Sequence, residues 1–446
     1  MVWVEVGRMG KSFRAWNPEQ RFLLPPAIDE FVEPGHLAHF VRELVRESLD
    51  LSAIVDSYKE ERGNPPYHPV MMTALLLYAY CQGVYSSRRI ALGCEERVDF
   101  MAVTALNQPD FRTISDFRKR HLKALSGLFV QVLKLCLKAG LVKLGHVSLD
   151  GTKVKANASK HKAMSYARMK EQEPLLAAEV AQWLKQAEEV DAAEDEQFGP
   201  ERRGDEMPQW VANKQRRLEK IREAKAALEA EARAKAPTVR DQDQDSGDDG
   251  GGPPSAVPAD GAQRNFTDPD SRIMKSSAEG FVQAYNGQAA VDAHRHVIVA
   301  QVLTNQPTDF NHLKPIVEQI KATTGRQAKE FSADAGYCSE QNLAELNRRH
   351  INAYIATGRQ LHGQAHATAR RPPTGSRRAA MWRKLRQGGW RSRYRLRKCL
   401  PEPVFGVIKQ ARGFRQFLLR GLKKVQCEWA MVCTAHNLRK LAQVST

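Results

Sequence analysis

Two acidic residues of this chain have the type and the sequence context of metal ligands. Asp150 follows a short apolar run that contains Val147 and Leu149, and Asp334 follows a similar run after Glu330. Such runs are typical of buried or half-buried strands, so we predict that each acid ends a strand. A buried carboxylate is costly unless it is paired or binds a metal ion. Hard oxygen ligands at strand ends suit Mg²⁺ or Mn²⁺.

A third acid, Glu402, lies in a strongly basic part of the chain. The window Arg359 to Lys424 holds 19 Lys and Arg residues and Glu402 as its single acid, while the net charge of the chain is +17. This charge favours an anionic partner, most often nucleic acid. Glu402 could be a metal ligand or the partner of a salt bridge. Pro401 and Pro403 flank it, and because proline is tolerated only in the first turn of a helix, we predict a helix start there.

Residues 34–141 are predicted to form an all-helical domain behind an irregular extension of residues 1–33. Apolar periodicity predicts helices over His36–Leu49, Met71–Tyr80 and Leu122–Leu141, one more helix from Ser86, and another in which Thr113 and Asp116 form a capping box. Arg118, Lys119 and Arg120 follow that box, and we predict that they contact DNA. A helical domain that only packs or dimerises fits the same pattern.

The rest of the chain is predicted to be an α/β core, residues 142–163 and 264–446, interrupted by an insertion over residues 164–263. The insertion is predicted to contain two long charged helices, Tyr166–Leu184 and Trp210–Lys235, and a disordered loop, Asp241–Ala262. In the core we predict strands over Val282–Asp292, Val297–Leu303 and Ile351–Ala356, with turn-like interruptions at Asn286–Gly287 and His294–His296. Helices are predicted over Leu313–Thr323, Ser339–Arg349 and Thr434–Leu441. The stretch Gln360–Arg391 is predicted to be irregular.

The cysteines and the apolar runs limit the compartment and the class of protein. Seven cysteines without a CxxC pair argue against a disulfide framework and against a structural zinc site, so a reducing, cytoplasmic environment is expected. The longest apolar run, Met71–Tyr80, is too short to span a membrane. We therefore expect no membrane partner.

The motifs around the three acids together resemble the DDE transposases of bacterial insertion sequences. The resemblance rests on Asp150-Gly-Thr-Lys-Val, on Asp334-Ala-Gly-Tyr and on the segment around Glu402, and it covers nearly the whole chain. The chain is most similar to the group with a helical amino-terminal domain and a Tyr-Arg-Glu-Lys signature. That signature falls on Tyr394, Arg397, Glu402 and Lys409.

The resemblance implies an RNase H-like catalytic core in which Asp150, Asp334 and Glu402 hold two Mg²⁺ or Mn²⁺ ions. Such a core would cut the ends of an insertion sequence and join them to target DNA by phosphoryl transfer. Tyr394, Arg397 and Lys409 would then grip DNA phosphates. The implied partners are double-stranded DNA, as element ends and as target, and a second copy of the chain in the synaptic complex. The implied location is the bacterial nucleoid.

Two other functions remain open at this point. One is a transposase copy that binds DNA without catalysis, because Pro401 precedes Glu402 directly. The other is a metal-dependent nuclease of the same fold that takes no part in transposition.

Overall fold

The structure is a computed structural model that describes residues 27–59, 65–198, 209–235, 257–276, 280–358, 368 and 372–445. Three predicted stretches lie largely outside these ranges: the extension 1–33, the loop Asp241–Ala262, and the first half of the irregular stretch Gln360–Arg391. In the described part of the extension, Ile28–Phe31 forms one turn of 3-10 helix.

The amino-terminal region is helical, as predicted. Its central helix is apolar on every side and buried from Met72 to Cys81, and proline occupies its first position, where no amide hydrogen is required. The seven helices of this region are α1 (Leu37–Glu47), α2 (Ser52–Val55), α3 (Pro69–Cys81), α4 (Ser87–Glu96), α5 (Val98–Thr104), α6 (Phe111–Arg120) and α7 (Leu122–Lys138).

The predicted capping box of α6 was wrong. The helix begins three residues before the expected position, because the side chain of Asp110 accepts hydrogen bonds from the backbone N–H groups of Arg112 and Thr113. A carboxylate at the N-cap satisfies the amides that the first helical turn leaves unpaired. The side chain of Thr113 donates to Asp110 instead of capping a later start.

A mixed sheet follows the helical region. Its central strand pairs antiparallel with one neighbour and parallel with the other, and the strand order is β4-β5-β1-β7-β8, with β6 beside the second half of β5. The strands are β1 (His146–Lys155), β2 (Ala163–Ser165), β3 (Gln263–Asn265), β4 (Arg272–Ser276), β5 (Gly280–Asp292), β6 (Ile298–Thr304), β7 (Glu330–Ala333) and β8 (Asn352–Ile355). Strands β2 and β3 form a separate pair.

Two strand predictions need correction. Asp150 does not end its strand, since β1 continues to Lys155. Asn286–Gly287 is not a turn but the middle of β5, where Gly287 lies against the ring of Trp429 and a Cβ atom would come within 3.0 Å of it. Both errors arise because pairing along the full length of β5 holds polar residues in strand conformation that their own propensities disfavour.

The remaining helices surround the sheet or project from it. The predicted irregular stretch ends in a helix, because Ser376 caps α12 and the side chain of Glu340 accepts from its first two amides. These helices are α8 (Tyr166–Phe198), α9 (Gln209–Lys235), α10 (Leu313–Thr324), α11 (Glu340–Arg348), α12 (Arg377–Gly388), α13 (Leu396–Cys399), α14 (Pro401–Gly406) and α15 (Leu422–Ser445).

One hydrophobic core joins the amino-terminal helices to the sheet, and α15 is the element that connects them. It packs against α3, α7 and β6, with Trp429 fully buried, and the side-chain amide of Asn437 bonds to both backbone groups of Ile298. Helices α8 and α9 form a hairpin with a small core of its own. No helix among the described residues is long and apolar enough to cross a membrane.

Candidate active site

The strand register brings the first two acids together. Strands β1 and β7 run parallel, and Ser148 is paired with Ser332. Two residues further on lie Asp150, within β1, and Asp334, directly after β7, on the same face of neighbouring strands because side chains alternate with a period of two. This parallel pairing is a tertiary contact that joins segments far apart in the sequence.

The third acid approaches from the helices that cover this face. Pro401 occupies the first position of α14, so Glu402 lies in the first turn of the helix, as predicted. One residue of α13, Arg397, lies between the three acids. Its guanidinium nitrogens are 3.3 Å from Asp150 Oδ2, 4.0 Å from Asp334 Oδ2 and 3.9 Å from Glu402 Oε1. The three carboxylates therefore converge on one positive charge.

Burial raises the free-energy cost of ionising the carboxyl groups of this cluster. It raises the pKa of Asp150 to about 6, because the charged form loses water; the Arg397 guanidinium opposes the rise, and the charge of Asp334 adds to it. The pKa of Asp334 is also raised by burial, again opposed by Arg397. Glu402 differs from both, since 51% of its side chain is exposed. Burial thus disfavours the charged forms of two of the acids, and the guanidinium of Arg397 offsets part of that cost.

The donor set fits a hard divalent cation in its chemistry. All three groups are carboxylates, the ligands that Mg²⁺ and Mn²⁺ prefer, and a positive charge already lies at their centre. Within the described residues, however, no three side chains of the His, Cys, Asp and Glu types form a ready metal cluster. Arg397 accounts for the spacing, because its guanidinium separates the acids. A metal ion shared by all three would require this guanidinium to move aside.

The other residues of the predicted signature lie next to this cluster. Tyr394 is 8% exposed, and burial raises the pKa of its phenol while the charge of Arg397 lowers it. Lys409 donates from Nζ to the backbone oxygen of Lys153 on β1, at 2.7 Å, and burial lowers the pKa of its amine. Tyr394 thus lies beside Arg397 and the two aspartates, whereas the contact of Lys409 is with β1, three residues beyond Asp150.

The basic cluster of α6 is divided between the interior and the surface. Arg118 is 5% exposed, and its guanidinium donates to the hydroxyl groups of Tyr80 and Ser87 and to the backbone oxygen of Tyr85. The prediction that Arg118 contacts DNA is therefore wrong for this arrangement. Lys119 and Arg120 are exposed, and their contact with DNA stays a prediction.

A fourth carboxylate near the cluster was missed from the sequence. Asp309 follows β6, and its Oδ1 accepts hydrogen bonds from Asn286 Nδ2 at 2.6 Å and from Gln288 Nε2 at 2.8 Å. The amine of Lys153 lies 3.6 Å from the same oxygen. Asn286 and Gln288 alternate within the buried strand β5. The signal in the sequence was a pair of amide side chains, two residues apart in an otherwise apolar run. The prediction of a turn at Asn286–Gly287 hid this signal.

Asp309 contacts the residues that follow both strand acids. A Cβ atom on Gly151 would lie 2.5 Å from Gln288 Nε2 and 3.1 Å from Asp309 Oδ1, and one on Gly336 would lie 3.4 Å from Asp309 Oδ2. Only glycine fits at position 151 without displacing this network. The network therefore supports the backbone on which Asp150 and Asp334 stand.

The comparisons with known proteins agree with this arrangement. Residues 26–120 match the model of a transposase domain (DUF772), and residues 255–438 match the model of a transposase DDE domain. Together the two matches cover more than half of the chain. The second includes Asp334 and Glu402, whereas Asp150 lies outside both. No curated protein and no solved structure matches the chain significantly. The chain belongs to the DDE transposases of the insertion-sequence type.

Proposed function

We propose that this transposase cuts the ends of its insertion sequence and joins them to target DNA, with Asp150, Asp334 and Glu402 as its catalytic carboxylates. The observation that carries the proposal is the convergence of the three on the Arg397 guanidinium, each within 4.0 Å of it. Acids that need a shared cation are suited to divalent ions. The sheet order, with β1 between antiparallel β5 and parallel β7, supports an RNase H-like core.

The three carboxylates would hold two Mg²⁺ or Mn²⁺ ions. Ions bound there would activate the attacking hydroxyl and stabilise the leaving 3′ oxygen. Asp150 and Asp334 offer neighbouring oxygens from adjacent strands, and Glu402 offers its own from the start of α14. The backbone under the two aspartates is supported by Asp309, which we assign as a positioning residue because it touches no reacting atom.

Arg397 has two roles in this proposal. Without DNA, its guanidinium offsets the charge of the acids. When cations take its place, its N–H groups become free to donate to a DNA phosphate, an acceptor that suits the guanidinium fork. Tyr394 and Lys409 would hold the backbone beside the scissile bond. Such contacts position DNA without reading its sequence.

A copy that binds DNA without cutting it is the alternative that Pro401 suggested. At the first position of a helix, proline needs no amide partner, and its φ angle is suited to the helix. Glu402 lies 3.9 Å from Arg397 despite this proline. This geometry favours the active enzyme. Because two element ends must be held together, we further propose that the chain acts as a homodimer on DNA.

The test uses the purified full chain, Mg²⁺ and DNA that carries the element's own terminal repeats. We expect cutting at the ends and joining to a supercoiled plasmid. Asp150→Asn and Asp334→Asn should lower the rate at least about a thousandfold, since metal-assisted stabilisation is worth several kcal/mol. Asp56→Asn, which alters an exposed carboxylate of the helical region, is the matched control.

Three results would contradict the proposal in different ways. Binding of the ends without any cutting would indicate a copy without catalysis. Cutting without joining would indicate a nuclease. Full activity of Asp150→Asn would remove that residue from the catalytic set.

A further inference from the structure

The insertion contains a cavity of about 630 Å³ with a strongly basic lining. It lies between the helical hairpin and the β2–β3 pair that closes the base of the insertion. Six of its eleven lining residues are of the basic types His, Lys and Arg, and none is acidic; the six are His161, Lys162, Arg168, Arg216, Arg217 and Lys220. All six are exposed. The cavity is therefore accessible from solution and attracts anions.

The six basic side chains differ from the other cations of the same insertion. Elsewhere on the hairpin, Lys170 pairs with Asp260 at 2.8 Å and Lys214 with Glu179 at 2.6 Å. Arg222 and Lys225 both pair with Glu173, at 3.2 Å and 2.8 Å. Among the described residues, no acid lies within ion-pair distance of any of the six that line the cavity. Among the described residues of the insertion, these four cations are therefore paired with acids, whereas the side chains of the cavity are not.

Helix α9 supplies the cavity with one regular face. Asn213, Arg216, Arg217 and Lys220 are spaced by three and four residues, so they project from the same side of the helix. The residues that bury the hairpin core, including Leu218 and Ile221, lie on another side. The three cations are not needed for packing. A row of cations along a helix can contact several phosphates of one nucleic acid backbone.

The position of the cavity allows one duplex to reach it and the acid cluster together. Asp150 lies on β1, and Lys162 follows it after about 12 residues, a chain length that spans at most about 43 Å. This distance is equal to about 13 base pairs of duplex DNA. A duplex of about that length is therefore long enough to join the cavity to the three carboxylates.

We propose that this cavity is a second DNA site that binds the phosphate backbone of duplex DNA beside the segment held at the acids. The choice of DNA as the ligand rests on the proposed function; the site itself rests on the unpaired cations. Because the contacts are to phosphates, the cavity contributes affinity without sequence preference.

The test measures binding of the full chain to a duplex of about 30 base pairs in EDTA, over a range of salt concentrations. The cavity variant is Arg216→Gln/Arg217→Gln/Lys220→Gln. The control, Arg222→Gln/Lys225→Gln/Arg233→Gln, removes three charges from the same helix that are already paired with acids. Thermal melts establish that both variants fold, and Arg217→Glu gives a second, independent disruption.

We expect the cavity variant to bind DNA about tenfold more weakly or worse, for random and element-end sequences alike. The slope of log K against log salt should become shallower by about 2.7, the value for three lost phosphate contacts. The control should retain the wild-type slope. A wild-type slope in the cavity variant would overturn the proposal. The proposal would also be overturned if the cavity variant kept its binding to DNA and lost only its binding to a peptide with the acidic sequence Asp241–Asp249. The site would then prefer a polypeptide.

Failure of this inference can be told apart from failure of the proposed function. If the wild type binds DNA through the cavity but never cuts it with Mg²⁺, the catalytic proposal fails and the cavity stands. If the wild type cuts its element ends and the cavity variant binds DNA as tightly as the wild type, the cavity proposal fails alone.

Discussion

The acid cluster and the cavity of the insertion show opposite uses of positive charge. At the acid cluster, the cation Arg397 is only 17% exposed and faces three carboxylates. In the cavity, Arg216, Arg217 and Lys220 are exposed and face no acid among the described residues. The first arrangement surrounds a cation with acids. The second leaves cations free for an anionic ligand.

This difference makes the pairing of cations, and not the number of basic residues, the criterion for a candidate DNA-binding surface. The window from Arg359 to Lys424 has the highest positive charge of the chain, yet several of its cations act inside the fold. Arg412 is 9% exposed, and Lys384 donates to the backbone oxygen of Ala353 at 2.6 Å. The cavity of the insertion lies outside this window.

The largest effect that separates the two regions is a dependence of stability on pH in EDTA. Asp150 has a pKa of about 6 in the folded chain against 3.8 for an ordinary Asp. Between these values the unfolded chain has lost the proton that the folded chain keeps, so folding becomes less favourable as pH rises from about 4 to about 6. The expected loss is about 3 kcal/mol.

Urea unfolding of the wild type and of Asp150→Asn at pH 4 and pH 7 would measure this loss. Asp150→Asn should lack it, whereas the cavity variant should retain it, since the arginine and lysine side chains that it replaces do not titrate between pH 4 and pH 7. Equal pH dependence of the wild type and Asp150→Asn would show that Asp150 is not the strained acid of the cluster.

A smaller effect should separate buried from exposed cations within one helix. Arg118→Ala would leave the hydrogen-bonding groups of Tyr80 and Tyr85 unsatisfied and should cost about 2 kcal/mol of stability. Lys119→Ala removes only a surface pair with Asp116 and should change stability by less than about 0.5 kcal/mol. Denaturant midpoints of the two variants test this, and equal midpoints would contradict the distinction.

The smallest effect concerns the affinity of the acid cluster for metal. If Arg397 occupies the position of a bound metal ion, Arg397→Gln should bind Mn²⁺ about tenfold more tightly in the absence of DNA. The reason is that the variant lacks the competing guanidinium, which lies 3.3 Å to 4.0 Å from the three carboxylates. Its DNA cutting should fall at the same time. Titration calorimetry would measure the affinity, and Arg395→Gln, an exposed neighbour, is the control. Weaker Mn²⁺ binding by Arg397→Gln would indicate that the guanidinium orders the acids instead of competing for them.

Local patterns predicted most elements of the fold. The all-round apolar character of α3 and the amphipathic periods of α1 and α10 decided those helices, because burial of an apolar face dominates the local free energy. Errors occurred where polar residues lie in strands or caps. Asn286 and Gln288 were predicted in or beside a turn, yet both lie in β5, because Asp309 satisfies their side-chain amides inside the protein.

The sequence alone singled out Asp150, Asp334 and Glu402 as candidates and determined the start of a helix at Glu402, since motifs, strand patterns and proline spacing act over a few residues. Only the tertiary structure decided that Asp150 and Asp334 stand side by side, that Arg397 lies between all three acids, and that Asp309 supports them. Those arrangements depend on parallel pairing of β1 with β7 and on packing of α13 and α14 over the sheet. Contacts between segments hundreds of residues apart leave no local pattern, so no reading of neighbouring residues could have found them.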